Sequence, residues 1–351
     1  MGNPRRRRAI VFISVLGLVL AACGGQDAAE TDAGGEGMGP EVTLTLGHPF
    51  PASHPIQVAA LEPFIEAVAE VTNGTVTIEI VPAGGLGPAP GTYENVVAGA
   101  QDLGWALQGY TPGRFPVTDL IEMPYTFTSA TDATDALWDL YEEFPEFQEE
   151  YRDVHVLGLW THDVGNLWTA GSQVTTIDDV PGLTLRAPGP VQNQLITELG
   201  GSPVGLPAPE LHDSLERGVI DGLMIANSGL ESFGLFDVLD YGIECLCYVA
   251  AQFLTINQGV WDSLSPEQQA AIDEIGGRTL SLQAAEAYDE EYQLVADKLA
   301  EEGIELTVLE GDELEQFEAA GDAVVQAWIA AREDEGVPGQ AMYDRLTELA
   351  D

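Results

Sequence analysis

Residues 182–189 read GLTLRAPG, and Arg186 stands out. The chain has 12 Lys+Arg against 58 Asp+Glu, and four of the twelve are Arg5 to Arg8. Leu183 and Leu185 alternate with Arg186, so on a strand the arginine leaves the face the leucines share. Pro188-Gly189-Pro190 then redirects the chain. A guanidinium is a planar fork of donors that matches a carboxylate bidentately. Arg186 therefore either pairs with one of the many acids or serves a bound anion, and residue type alone leaves both open.

Other side chains have comparable alternatives. His162, in THDVG after VHVLGLW (154–160), either donates to a ligand oxygen or caps a turn. Trp105 either stacks on a ligand from its strand end or fills the core. Gln108 and Tyr110 follow the same strand as candidate hydrogen-bonding groups, and Phe50 is a candidate wall after the first strand. Arg114 and Arg217 read as structural, the latter at a helix C-terminus where the dipole favours a cation.

Catalytic patterns are missing. There is no G-x-S-x-G, H-E-x-x-H or C-x-x-C, and Asp163 beside His162 is no triad. The loop AGGLGPAPG lacks the lysine of a phosphate loop. No enzyme, cofactor or metal is expected; a lipid-anchored hydrolase and a sensory receptor are the competing classes. Cys245-x-Cys247 on a strand puts both thiols on one face, near the upper separation for bonding. The pair reads as two buried apolar thiols, with a strained disulfide as the alternative.

These residues need a scaffold. EVTLTLG (41–47) and TVTIEIV (75–81) alternate as strands, with helical spacing over 55–72 between them that Pro63 must kink or delay. YENVVAGA reads as a short helix and QDLGWALQ (101–108) as a buried strand. The same order returns with GLTLRA (182–187), a helix opened by Pro190, SPVGL, a helix from Pro209, and VIDGLMI (219–225). Both passes carry G-x-x-D before the last strand: Gly99 with Asp102, Gly218 with Asp221. The expectation is two α/β lobes, each on a mostly parallel sheet whose strand ends form the ligand cleft. Residues 265–303 read as one very long helix, or two end to end with a soft spot at Gly276-Gly277. ELTVLEG is a further strand, and 312–351 is helical.

The N-terminus reads as a targeting segment. MGNPRRRR precedes AIVFISVLGLVLAA, an apolar run too short to span a bilayer, which needs about 20 residues. LAAC resembles a lipobox, with cleavage before Cys23 and lipid on its thiol. Residues 1–22 are thus expected to be a lipoprotein signal peptide and 23–40 an acidic flexible tether. The product is expected outside the cytoplasm, held to the membrane through Cys23. The formal charge of −46 excludes nucleic acid as a partner and suits a hydrated surface at high salt.

LGHPFPASHPI, TNGTVTIEIVPAGGLG, IDDVPGLTLRAPG, ELHDSLERGVIDG and WDSLSPEQQAAI together resemble the solute receptors of tripartite ATP-independent periplasmic (TRAP) transporters, the DctP-like family. The resemblance runs in order from about residue 41 to 350. It implies a two-lobe type II periplasmic-binding-protein fold with a long helix spanning both lobes. The first lobe would take 41–163 plus about 252–291, and the second 164–251 plus about 292–351. Ligand would close the lobes, and the closed form would dock on TRAP membrane permease subunits. The family's carboxylate clamp falls on Arg186.

The chain also departs from the family's sialate and dicarboxylate binders. Gly222-Leu223-Met224-Ile225-Ala226 and then Asn227 stand where those often carry Gly-Gln-Glu-Asn-Pro. A second arginine of the sialate type is replaced by Asn166 in THDVGNLWT. Met224, Leu223 and Trp105 would make an apolar pocket around one carboxylate. Asn166 and Asn227 join the candidate ligand contacts. The expected ligand is a small organic acid, a 2-oxo or 2-hydroxy monocarboxylate, with an aromatic one as a variant.

Overall fold

The computed structural model describes residues 38–350. The leader, Cys23 and the tether as far as residue 37 lie outside the described residues. The last tether residues are fastened to the domain: Ser265 Oγ donates to the Met38 carbonyl and Gln268 Nε2 to the Pro40 carbonyl at 2.9 Å.

The strands are β1 (Val42–Gly47), β2 (Val76–Val81), β3 (Leu103–Leu107), β4 (Val154–Thr161), β5 (Gly165–Thr169), β6 (Thr184–Ala187), β7 (Ser202–Gly205), β8 (Gly222–Ala226), β9 (Tyr241–Tyr248), β10 (Ala251–Asn257) and β11 (Glu305–Val308). They form two sheets, β2-β1-β3-β10-β4 and β11-β9-β5-β8-β6-β7. The helices are α1 (Glu62–Val71), α2 (Thr92–Val97), α3 (Ala130–Glu143), α4 (Pro145–Glu149), α5 (Pro190–Glu198), α6 (Leu211–Glu216), α7 (Asn227–Ser232), α8 (Gln258–Ser263), α9 (Pro266–Ile275), α10 (Gly277–Lys298), α11 (Asp312–Asp334) and α12 (Gly339–Ala350). Pro63 delays α1 as its fixed φ requires, and one wide π turn, Gln57–Leu61, precedes it.

The repeated passes are physically equivalent. β1 lies parallel between β2 and β3, and β6 lies parallel between β7 and β8. The Asp102 carboxylate accepts from Thr45 N at 2.8 Å, and that of Asp221 from Thr184 N at 2.7 Å. Each acid ties the last strand of its unit to the first. Gly99 (φ 68°) and Gly218 (φ 64°) end the preceding helices in the left-handed conformation a side chain disfavours.

Each sheet is mostly parallel, with one reversed strand. β10 runs antiparallel to β3 and β4, and β5 antiparallel to β8 and β9. Each of these strands arrives from the other sheet, which reverses its direction. The two crossings, at 162–164 and 249–250, lie side by side. Thr161 pairs with Ala251, Gly165 pairs with Tyr248, and His162 N donates to the Ala250 carbonyl at 3.2 Å. They form one two-stranded ribbon between the lobes.

The long helical region is two helices, broken where Gly277 takes φ +58°. The 22 residues of α10 extend about 33 Å at ~1.5 Å each. α10 packs on β4 and α3 of the first lobe and on α7 of the second. Arg278 fixes its start through Asp135 and Asp139 of α3, both at 2.7 Å. Leu280 and Ala284 enter the first core, and Val295 joins Trp168 and Leu299 in the second. The C-terminal division differs from the one expected. β11 joins the second sheet and α11 lies on α5, but the chain breaks at Gly336 and α12 returns to pack on α3.

Cys245 and Cys247 form a disulfide, with Cα atoms 4.9 Å apart, in place of two free thiols. Leu246 between them adopts φ +47° where β5 and β9 shift register. The Asn166 Oδ1 accepts the Leu246 N–H at 2.9 Å and so fills the hydrogen bond the bulge would lose.

Candidate functional site

A small cavity, about 30 Å³, lies between the lobes. Arg186 reaches it from the third position of β6, with 1% of its surface exposed. Its Nε donates to the Leu206 carbonyl at 2.8 Å and its Nη1 to the Met224 carbonyl at 2.9 Å. Nη2 has no partner, and among the described residues no carboxylate lies within ion-pair distance. Two carbonyls aim the fork but leave its charge uncompensated. A buried charge without a counter-ion is expensive. The ion pair that the counter-ion reading of Arg186 requires is absent among the described residues.

The walls come from both lobes. Phe50 lines the cavity, its ring centroid 5.0 Å from that of His54 and 6.4 Å from that of Phe233. Leu107 and Ile225 add aliphatic surface, while Tyr248 and Tyr288 bring one aromatic face and one hydroxyl each. The Tyr248 hydroxyl is buried and unpartnered. Trp105 Nε1 donates to Gln252 Oε1 at 2.7 Å, and Gln252 Nε2 donates to the Tyr288 oxygen at 2.7 Å. That relay fixes Gln252 and leaves the Tyr288 O–H free to donate.

His162 also lines the cavity, on the inter-lobe ribbon. Its Nδ1 lies 2.5 Å from the Asp163 carbonyl oxygen. Burial lowers the imidazole to about 4, with the Arg186 charge acting the same way. The Asp163 carboxyl accepts from Ser228 N at 3.0 Å and from Ser228 Oγ, and burial pushes it up to about 7. Ser228 therefore faces Asp163, and His162 faces a backbone carbonyl, so no nucleophile–base pair forms here.

Several expected ligand contacts do other work. Trp105 lies behind the wall, holding Gln252 and packing on Phe50 at 4.4 Å between centroids. The Tyr110 hydroxyl accepts from Ala208 N of the second lobe at 2.9 Å, making it a lobe-to-lobe contact. Asn166 spends its carboxamide on Leu246 N and, through Nδ2 at 3.1 Å, on Asn227 Oδ1. Asn227 is thereby committed as well. Met224 offers Arg186 a carbonyl while its side chain sits in the core, because neighbours on β8 point to opposite faces. Leu223 is core too. Gln108 is buried beside the cavity strand with neither amide atom partnered, and nothing in the structure explains it. Of the expected side chains, Arg186, His162 and Phe50 meet at the cavity.

Sequence reasoning missed His54, Phe233, Tyr248, Gln252 and Tyr288, all at the cavity. His54 and Phe50 were available in the stretch GHPFPASHP, whose clustered rings follow a strand end. Tyr288 carried no signal, since an inward tyrosine in α10 matches ordinary helical spacing.

The described residues thus form a two-lobe α/β protein with a cationic, aromatic-walled cleft between the lobes. Residues 46–331 match the family described as DctP, bacterial extracellular solute-binding protein, family 7. A solute-binding protein of Chromohalobacter salexigens is 28% identical over 280 residues, covering 80% of this chain and 82% of that one. A marine-metagenome TRAP solute-binding protein, specific for aromatic acid ligands and bound to metahydroxyphenylacetate, superposes with TM-score 0.84 at 27% identity, covering 88% and 98% of the two chains. A TRAP periplasmic solute-binding protein of Bordetella bronchiseptica with bound (R)- and (S)-mandelate gives TM-score 0.83 at 28% identity, again covering 88% and 98%. The chain belongs to this family of extracytoplasmic TRAP solute-binding proteins, which are not enzymes. Among the described residues no helix is long and apolar enough to cross a membrane.

Proposed function

We propose that the protein is the receptor of a TRAP transporter, that it encloses a small aromatic monocarboxylate of the 2-hydroxy or 2-oxo acid kind, and that it hands the ligand to a membrane permease. The carrying observation is Arg186: a buried guanidinium, aimed by two carbonyls, with one nitrogen unpartnered and no acid at hand. One cation supports one carboxylate. The Phe50, Phe233, Tyr248 and Tyr288 rings favour an aromatic body over a polyhydroxylated one. The aromatic acid and mandelate held by the two similar structures agree with this chemistry. Lipid on Cys23 would keep the receptor beside its permease; radiolabelled palmitate incorporation that survives Cys23→Ala would sink that part.

The test is isothermal titration in molar salt with benzoate, mandelate and phenylglyoxylate against succinate and glucuronate. Saturable binding of the aromatic monocarboxylates is expected. Arg186→Met should weaken it by at least about 30-fold, since breaking a buried charge pair costs ~2–5 kcal/mol. Tight binding of succinate or glucuronate alone, or wild-type affinity in Arg186→Met, overturns the proposal.

A further inference from the structure

The two cavity histidines are locked in opposite tautomers. His54 Nδ1 accepts the Ile56 N–H at 3.3 Å, so its ring proton sits on Nε2. His162 Nδ1 faces the Asp163 carbonyl oxygen, which can only accept, so its ring proton sits on Nδ1 and Nε2 is bare. No described residue hydrogen-bonds to His162 Nε2. The surroundings hold the ring neutral. Burial and the Arg186 cation oppose a second proton. The Asp163 carboxylate, which would favour one, is taken up by Ser228. His54, neutral and pushed down to about 3 by burial, adds no charge, and Tyr248 and Tyr288 stay protonated.

The cavity's open polar atoms are therefore unequal in kind. Arg186 Nη2, His54 Nε2–H and the Tyr248 and Tyr288 hydroxyls donate. His162 Nε2 is a lone pair. A carboxylate has only lone pairs, so it can serve the donors and not His162. We infer that the ligand carries, besides its carboxylate, a hydroxyl that donates to His162 Nε2, which makes His162 the residue that selects hydroxy acids over oxo and unsubstituted acids. This rests on the aromatic-acid reading above and sharpens it. A 2-oxo group presents another acceptor to His162, and a plain ring offers the lone pair no donor.

The experiment compares matched ligands by titration: mandelate against phenylacetate, phenylglyoxylate and O-methylmandelate, and 3-hydroxybenzoate against benzoate and 3-methoxybenzoate. At least one hydroxy acid should bind about tenfold or more tighter than its parent, ketone and methyl ether, the size expected for one hydrogen bond lost in a desolvated complex. In His162→Phe that preference should shrink to within about twofold while the parent acids still bind. Equal affinity of hydroxy acid and parent in the wild type, or a preference that survives His162→Phe, overturns the inference and leaves the aromatic-acid reading standing. Binding of none of these acids overturns both. Should His162→Phe fail to fold, ¹⁵N-histidine spectra of the wild type decide: the complex should show His162 Nε2 unprotonated and shifted by the ligand, and a protonated Nε2 refutes the proposal.

Discussion

The Tyr110 hydroxyl oxygen of the first lobe accepts the backbone N–H of Ala208 in the second, at 2.9 Å. The contact exists only while the lobes are together. Burial raises the hydroxyl above its ordinary value, so it stays protonated at all working pH. Tyr110→Phe should leave the unliganded melting temperature unchanged and weaken ligand binding about fivefold, the worth of one hydrogen bond near 1 kcal/mol. The loss should appear as faster dissociation in stopped-flow. An unchanged dissociation rate would remove Tyr110 from closure.

Gly109 marks a close approach between the lobes. A Cβ there would lie 2.6 Å from the Pro188 carbonyl oxygen and 2.7 Å from Gly189 Cα. Backbone on both sides cannot yield without parting the lobes. Gly109→Val should fold normally yet lose the ligand-induced drop in radius of gyration seen by solution scattering, with affinity down at least about tenfold. Normal compaction in this variant would show that closure does not pass through this contact.

Asn166 tests a different attribution. Its carboxamide joins β5 to the bulge at Leu246 and to Asn227 at the start of α7. Asn166→Ala leaves a buried N–H and a buried amide oxygen unmet, which costs about 2–4 kcal/mol of stability at ~1–3 kcal/mol per group. Denaturant unfolding should register that loss, with the intrinsic ligand preference order retained. A collapse of binding at unchanged stability would restore Asn166 as a ligand contact.

Stability should fall as pH rises from about 6.5 through 7. Burial pushes Glu122, Glu150 and Asp163 each up to about 7, above their ordinary carboxyl values. Burial also lowers His48, His54 and His162 to about 4, 3 and 4 from an ordinary 6.5, so below that pH the unfolded chain takes up protons there and the two sets oppose one another. Above about 6.5 the histidines are neutral in both states, while the folded chain still holds carboxyl protons that the unfolded chain has released, so raising the pH favours unfolding. Thermal melts at fixed molar salt should therefore drop across that upper window. Glu122→Gln should flatten the drop: Ala251 N keeps an acceptor, and Gln192, whose Oε1 is unpartnered, can turn its amide to match. A melting temperature that climbs with pH above about 6.5 contradicts this account.

Much of the scaffold was legible because it rests on local chemistry. Asp102 and Asp221 occupy the same slot after a helix-ending glycine, and both bind the first strand of their unit. Arg186 was legible for a related reason, since strand alternation and the following prolines place it. The cavity walls were not. Whether Tyr110 faces a ligand or Ala208 depends on lobe closure, and whether Asn166 faces a ligand or Leu246 depends on a bulge in a strand 80 residues away. The antiparallel members of each sheet follow from strands that change lobes, which no local pattern records.

The paired crossings at 162–164 and 249–250 have a mechanical consequence. A two-stranded strap bends readily out of its plane and resists shear within it, so it would let the lobes swing more easily than slide past one another. His162 sits on that strap, at the pivot, where a swing displaces atoms least. Tyr110 and Gly109 meet residues of the opposite lobe, where leverage brings partners in from afar. A ligand arriving in the open cleft thus finds His162 nearly in its final place and can be tested for its chemistry before the jaws commit.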